Sequence, residues 1–543
     1  MRLIQLIQPR RDAPLPIWMI FPVVFTALYA SHFTLLRLPY YWDEAGYYIP
    51  AAWDFFRTGS LIPITTLTNA HPPLASIYLA LWWEAAGFFP EVTREAVLMV
   101  AALGLLAVWR LAMRLVGVGA VAFWTVALTG LYPIWFAQST LAHADIFAAA
   151  CALWGLVYSL PEQDRKPWAA ALWFSAAVLC KETAVAIPLT LALLCAIEGF
   201  RARQAARFKL WREAALLASC VLPLACWYGW HYAKTGFMFG NPAFLRYNAQ
   251  ANLDPLRFLA AFAHRIFHLS VHMNLFVPVM IALAALLLLQ PRKDAEGNER
   301  APMGPPVLRR IFLLLLVNAL LFSVLGGALL TRYLLPMYPL VLLLVVATFY
   351  RRVPFWHALA LLSGAAFVLG LFINPPYGFA PEDNLAYAHV VRLHLAGIAQ
   401  LNKRYPGATV LSAWPMTDEL TRPELGYLKK PDDVYRVEDF TAEQIARAGA
   451  EPEKYTTALV FSTKYEPTGM QLSLGRSSEA LDEQFFGLHH DLAPEEIAKQ
   501  LGGTLVWKKE DQGQWIGLIR FDRRLDMQVD GAAELQAAES VGQ

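Results

Sequence analysis

Apolar runs of about 20 residues recur from residue 16 to residue 373, separated by short polar or proline-bearing stretches. Each is long enough to cross a bilayer as a helix. The pattern predicts spanning helices near 16–38, 94–115, 117–136, 143–160, 167–181, 183–200, 213–232, 272–290, 310–330, 334–350 and 354–373. One further apolar segment, 74–89, is long enough to be ambiguous. From about Asn374 the pattern changes: short β-rich runs such as 408–412 and 458–462 alternate with helical stretches such as Thr441–Ala448 and Pro494–Leu501. A last pair of runs, 504–509 and 514–521, flanks Asp511-Gln512-Gly513 and reads as a hairpin.

Basic loop charge resolves the ambiguous segment. If 74–89 does not span, one side collects Arg2, Arg10 and Arg11, Arg110 and Arg114, Arg165-Lys166, the cluster from Arg201 to Arg212, Arg292, Lys293 and Arg300, Arg309-Arg310 and Arg351-Arg352. If it spans, every later loop flips and most of that charge moves outside, against the positive-inside tendency. The segment is therefore predicted to lie along the outer surface, with Trp82, Trp83 and Glu84 at headgroup level. The domain reading follows: 1–373 is a transmembrane module, with 39–93 as its first outer loop carrying interfacial helices. Residues 374–525 are an α/β domain outside the membrane, and 526–543 a disordered tail. The fold class is a polytopic α-helical membrane protein with a C-terminal extracytoplasmic α/β domain.

Composition agrees with this division. Of 543 residues, 57% are hydrophobic and only 16% are charged, which places the chain among membrane proteins. A net charge of +2 implies no nucleic-acid partner. The five cysteines all lie in apolar stretches and form no CxxC motif, so neither a disulfide framework nor a thiolate metal site is indicated. The 16–38 run is too long for a signal-peptide core and reads as an uncleaved anchor.

Against this apolar background the ionisable residues stand out, because a charge at a membrane is expensive and marks function by default. Asp43-Glu44 follows the first apolar run; either carboxylate can take an acceptor's proton or ligate a metal, or Asp43 can cap the next helix. His71-Pro72-Pro73-Leu74 sets a histidine at the start of the interfacial helix, where anions bind, although two prolines also serve as plain punctuation. Asp145 opens a spanning helix, where the helix dipole favours a carboxylate by about 0.3–1 kcal/mol without any functional reason. Lys181-Glu182-Thr183 joins two spanning helices and offers either a snorkelling turn or a cation for phosphate. Arg332-Tyr333 interrupts two very apolar helices; the guanidinium fork matches phosphate oxygens, and an interfacial anchor is the bland alternative. His264, His268 and His272 repeat every four residues and share one face if helical, so they could hold zinc or make simple polar contacts.

Taken in order, these pieces resemble a known family. An Asp-Glu pair in the first outer loop, x-Pro-Pro-Leu, an outer Asp and Lys-Glu-Thr, and a late Arg-Tyr-x-x-Pro-x-Tyr-Pro look like the GT-C membrane glycosyltransferases. The protein O-mannosyltransferases (glycosyltransferase family 39) and the related lipid A aminoarabinose transferases are the most similar groups, and the resemblance covers roughly 16–373. It implies inverting transfer of a sugar from a polyprenyl-phosphate carrier to a protein, lipid or glycan acceptor on the outer face. It further implies a bacterial-type inner membrane as the location and membrane lipid as a partner. The matching first-loop Asp is catalytic in that family, so the role passes to Asp43, with Glu44 as a second carboxylate. His71, Asp145, Lys181, Glu182, Arg332 and Tyr333 would bind the lipid phosphate or substrate. His71 stands where the mannosyltransferases have His and the aminoarabinose enzymes Lys, which favours the mannosyltransferases of the two groups. The C-terminal region lacks the β-trefoil pattern of eukaryotic protein mannosyltransferases. No cofactor is required, but some members hold a zinc ion, for which Glu84, His264 and His268 are the counterparts here. A transporter or flippase is the competing reading, although no inverted repeat is visible. A non-catalytic receptor is a third.

Overall fold

The computed structural model describes residues 15–68, 70–239, 254–294, 297–325, 329–465 and 476–522. Asn69, the arginines at 2, 10 and 11, and the expected tail from 526 lie outside them. The chain forms two compact units. One comprises Met1–Arg37, Tyr47–Ile373 and Glu382–Asn384; the other comprises Leu38–Gly46, Asn374–Pro381 and Leu385–Gln543.

The first unit is helical. Its elements are α1 (Ile17–His32), α2 (Ile49–Thr58), α3 (Leu74–Ala86), α4 (Pro90–Leu115), α5 (Gly119–Leu131) and α6 (Pro133–Gln138). There follow α7 (Ala144–Ser159), α8 (Pro167–Cys180), α9 (Ala186–Arg201), α10 (Gln204–Ala218) and α11 (Val221–Thr235). After a stretch outside the described residues come α12 (Pro255–Ser270), α13 (Phe276–Leu288), α14 (Pro305–Val324), α15 (Tyr338–Arg352) and α16 (Trp356–Phe372).

Proline sets many of these starts. Pro90, Pro133, Pro167, Pro255 and Pro305 each stand at the first turn of their helix, where a missing N–H costs nothing. The residue before proline is pushed to extended geometry, which is why α5 stops before Tyr132 (φ −61°, ψ 123°) and α6 begins afresh.

Five helical stretches among the described residues are long and apolar enough to cross a membrane: Ile17–Leu35, Pro90–Leu115, Glu182–Arg201, Ala206–Thr235 and Pro305–Val324. Several shorter apolar helices accompany them, α3 among them. Large apolar side chains such as Trp18, Leu172, Phe208, Leu287 and Phe312 are exposed. In water so much exposed apolar surface would be unfavourable, whereas lipid tails accept it. The unit is that of an integral membrane protein.

The second unit holds a five-stranded sheet in the order β2-β1-β3-β5-β4. Strands β1 (Val410–Ala413), β2 (Val434–Val437) and β3 (Thr457–Phe461) are parallel; β4 (Thr504–Asp511) and β5 (Gln514–Arg520) continue antiparallel. Every residue of β1 and β3 is buried, as expected for central strands covered on both faces. The β4–β5 turn places Gln512 and Gly513 at φ 48° and 82°, the double left-handed geometry that a two-residue hairpin needs. Helices α17 (Ala386–Arg404), α18 (Met416–Thr421), α19 (Ala442–Gly449), α20 (Arg476–Phe486) and α21 (Pro494–Leu501) complete it. A buried His394–Glu419 pair (2.8 Å) ties α17 to α18.

Candidate functional site: a buried charge cluster at the end of an apolar cleft

Four chain breaks deliver the charged residues of the helical unit. Asp145 is the second residue of α7, where backbone N–H groups lack intrahelical partners and favour an anion. Lys181 is extended (φ −150°, ψ 123°), between the end of α8 and a one-turn 3-10 helix, Glu182–Val185, that leads into α9. Arg332 lies in a second 3-10 turn, Thr331–Leu334, before α15. Glu382 lies in a third, Pro381–Asp383, after α16.

These side chains meet. Lys181 Nζ is 2.6 Å from Asp145 Oδ1, and Arg332 Nε is 3.4 Å from Asp145 Oδ2. Arg332 Nη1 donates to Glu382 Oε1. His143 Nδ1 lies 3.9 Å from Glu382 Oε2 and 2.9 Å from Gln138 Oε1. None of Asp145, Lys181, Arg332, Glu382 and His143 is more than 6% exposed. Two cations and two carboxylates therefore share a buried site, an arrangement that is tolerable only because each charge has a partner. Lys181 Nζ also sits 4.3 Å from the ring centroid of Tyr333, a cation–π contact. Next to Glu382, Asp383 accepts from Thr331 Oγ1 and pairs with His272 Nε2 at 2.9 Å.

Asp145, Lys181, Arg332 and Tyr333 line one end of a cleft of about 330 Å³, whose remaining walls include Ala148, Ala152, Ile187, Phe322 and Pro336. The lining thus combines charged groups with apolar side chains, together with Thr183 and Asn318. A second cleft of about 510 Å³ is lined by His71, Tyr48, Phe55, Thr68, Pro72 and Trp227, among others. There His71 Nδ1 is 2.8 Å from Glu182 Oε2, and the Tyr48 ring stacks on the imidazole at 5.8 Å. Because Lys181 and Glu182 are consecutive, one turn serves both clefts.

Of the residues expected from sequence, Asp145, Lys181, Arg332 and Tyr333 converge on the first cleft, and His71 and Glu182 pair at the second. Asp43 and Glu44 belong to the other unit. There the Glu44 carboxylate is buried and accepts the N–H of Tyr41 (2.9 Å), closing its own turn.

The expected metal set requires correction. No group of three His, Cys, Asp or Glu side chains among the described residues is arranged to hold a metal ion. Glu84 is exposed on α3, while the His264 and His268 rings lie 6.3 Å apart, tilted by 54°, along α12. Arg265 Nη1 stands 3.5 Å from His268 Nδ1, and a guanidinium there opposes a second cation.

Sequence reasoning did not reach Gln138, His143, Glu382 and Asp383. Pro381-Glu382-Asp383 follows the last apolar run much as Asp43-Glu44 follows the first, so the same cue was present. Nothing local marked His143 or Gln138.

No protein-family model matches the sequence, and no curated protein matches it significantly. Solved structures do match in fold. ArnT from Cupriavidus metallidurans bound to undecaprenyl phosphate is similar with a TM-score of 0.53 and 16% identity, over 92% of this chain and 97% of that one. The same protein in its apo state gives a TM-score of 0.52 and 14% identity, over 93% and 98%. At such identities the likeness establishes the fold: this chain has the ArnT-type GT-C architecture over nearly its whole length.

Proposed function

We propose that the chain is a membrane glycosyltransferase that takes a sugar from a polyprenyl-phosphate carrier and passes it to a protein, lipid or glycan acceptor. The observation that carries this reading is the pairing of two buried cations, Lys181 and Arg332, with the apolar wall of one cleft. A polyprenyl tail suits the apolar wall, and a phosphate suits the cations. The shared architecture with an ArnT structure that binds undecaprenyl phosphate supports the same ligand class here.

In the proposed reaction the acceptor oxygen or nitrogen bonds to the anomeric carbon as the bond from that carbon to the phosphate oxygen breaks. The transition state is oxocarbenium-like. Asp43 takes the acceptor's proton, a role assigned from the family resemblance. The departing phosphate gains negative charge, which Lys181 and Arg332 stabilise without a strong general acid. His71, held by Glu182, contributes to substrate binding at the second cleft. Loop charge supports an orientation with Asp43 and the α/β unit on the extracytoplasmic face of an inner membrane.

The test is transfer by the reconstituted protein, with a panel of polyprenyl-phosphate sugars and mass spectrometry of the products. Asp43→Asn is expected to lose transfer while retaining donor binding, and Arg332→Ala to lose donor binding. Undiminished transfer by Asp43→Asn would remove that residue from the chemistry. Flux of a lipid-linked sugar across vesicles without any transfer would favour a flippase.

A further inference from the structure

The segment that carries Asp43 is held by the α/β unit. Tyr40 N–H donates to Leu425 O (3.3 Å), and Tyr427 Oη donates to Tyr40 O (2.9 Å). The Tyr41 ring lies 5.8 Å from that of Tyr387 on α17. The Trp42 ring meets Trp414 edge-on at 5.1 Å. A Cβ placed on Gly46 would come within 2.8 Å of Trp414 Cζ2, so only glycine permits this approach. Trp42 itself is left-handed (φ 48°), a conformation that costs a large residue energy and persists only where its surroundings impose it.

Trp414 occupies a defined place in the sheet. It directly follows β1, at the carboxyl end of that strand. The chain passes from β1 to β2 on one side and then to β3 on the other, so β1 borders the point where strand order reverses. Open α/β sheets bind their ligands at such a point. Here the Leu38–Gly46 segment packs against that end of β1. The indole is itself fixed: its N–H bonds the Asp418 carboxylate, which Arg422 and Arg436 flank at 3.7 Å each.

We propose that the α/β unit serves as a mould for the catalytic loop, with Trp414 as the positioning residue that sets Asp43 by clamping Trp42 and Gly46 on either side of it. This rests on the proposed role of Asp43. Glu44 completes the mould by closing the turn from within, through the N–H of Tyr41. Phosphate binding is assigned to the helical unit and does not involve Trp414, so the two functions separate kinetically.

The experiment uses the full-length protein in nanodiscs. Trp414→Ala should lower kcat for sugar transfer by about 100-fold, the cost of a misplacement on the order of 1 Å, while the donor KM stays within about twofold. Trp414→Phe should recover much of the loss. Hydrogen exchange of the Tyr41–Gly46 amides should quicken in the alanine variant. If circular dichroism finds that variant unfolded, Gly46→Ala decides, because it pushes on the clamp from the loop side and deletes nothing from the sheet. It too should lower kcat and leave KM unchanged. Wild-type kcat and unchanged exchange in Trp414→Ala or Gly46→Ala, alongside an inactive Asp43→Asn, overturns the mould. Full activity in Asp43→Asn overturns the assignment of Asp43 instead, and the exchange data still decide whether Trp414 holds the loop.

Discussion

Lys181 Nζ lies 2.6 Å from Asp145 Oδ1 in a site where both side chains are almost completely buried. Neither residue is a routine tenant of an apolar helix junction, and each makes the other tolerable. Removing one partner strands a buried charge, which typically costs about 3–5 kcal/mol. Lys181→Ala should therefore lower thermal stability, near the smaller figure because Arg332 still faces Asp145 at 3.4 Å. Lys181→Ala/Asp145→Ala should regain stability but not donor binding. Melting curves with and without undecaprenyl phosphate check both statements; a double variant that binds like wild type contradicts them.

Glu382 accepts from Arg332 and neutralises it. An incoming phosphate has to compete with that carboxylate. Glu382→Gln keeps the shape, removes the negative charge and leaves the cluster one unit more positive. Undecaprenyl phosphate should then bind about three- to tenfold more tightly, equivalent to about 0.7–1.4 kcal/mol. Titration of the purified variant would reveal this, and weaker binding would mean that Glu382 orients the guanidinium rather than competing for it.

The two consecutive acids of the first loop should behave differently. Asp43→Asn removes the proposed base and should lower transfer by about 10²–10⁴-fold. Glu44→Gln still offers an oxygen to the Tyr41 N–H and should retain most activity, whereas Glu44→Ala forfeits a charge-assisted hydrogen bond worth about 1.5–3 kcal/mol. Initial rates and melting temperatures of the three variants separate these roles.

Asp418 predicts an unusual pH response. Burial raises its carboxyl above the ordinary aspartate range, although Arg422, Arg436 and the Trp414 indole pull it down. The folded protein then binds a proton where the unfolded chain does not. Stability contributed by this group should rise as pH falls through the raised value, and level off near the ordinary value of about 4. Asp418→Asn abolishes that term. The difference in melting temperature between wild type and variant should shift toward wild type as pH is lowered from about 7 to about 4; a constant difference contradicts the assignment.

The apolar runs were sufficient to locate most helices of the membrane unit, because a helix satisfies its own backbone and needs only length and hydrophobicity to be recognised. The short β-rich apolar runs near 410 and 458 and the pair flanking Gln512-Gly513 announced four strands of the sheet for a similarly local reason: continuous apolar runs bounded by turn residues are written in adjacent positions. Isolated charges in apolar surroundings pointed to Asp145, Lys181 and Arg332, since each is costly wherever it is placed.

Pairing was a different matter. Which carboxylate neutralises which cation depends on helix ends more than 30 residues apart in the case of Asp145 and Lys181, and on the 50 residues between Arg332 and Glu382. The expected zinc set bears on the same point: i, i+4 histidine spacing is local, but a third ligand has to be supplied by packing, and among the described residues none joins His264 and His268. The company kept by Asp43 was likewise invisible in the chain, for Trp42 and Trp414 are brought together by the α/β unit across some 370 residues. Local patterns name the elements and the expensive residues; only the folded chain chooses their partners, because Coulombic and packing energies depend on distance in space rather than along the sequence.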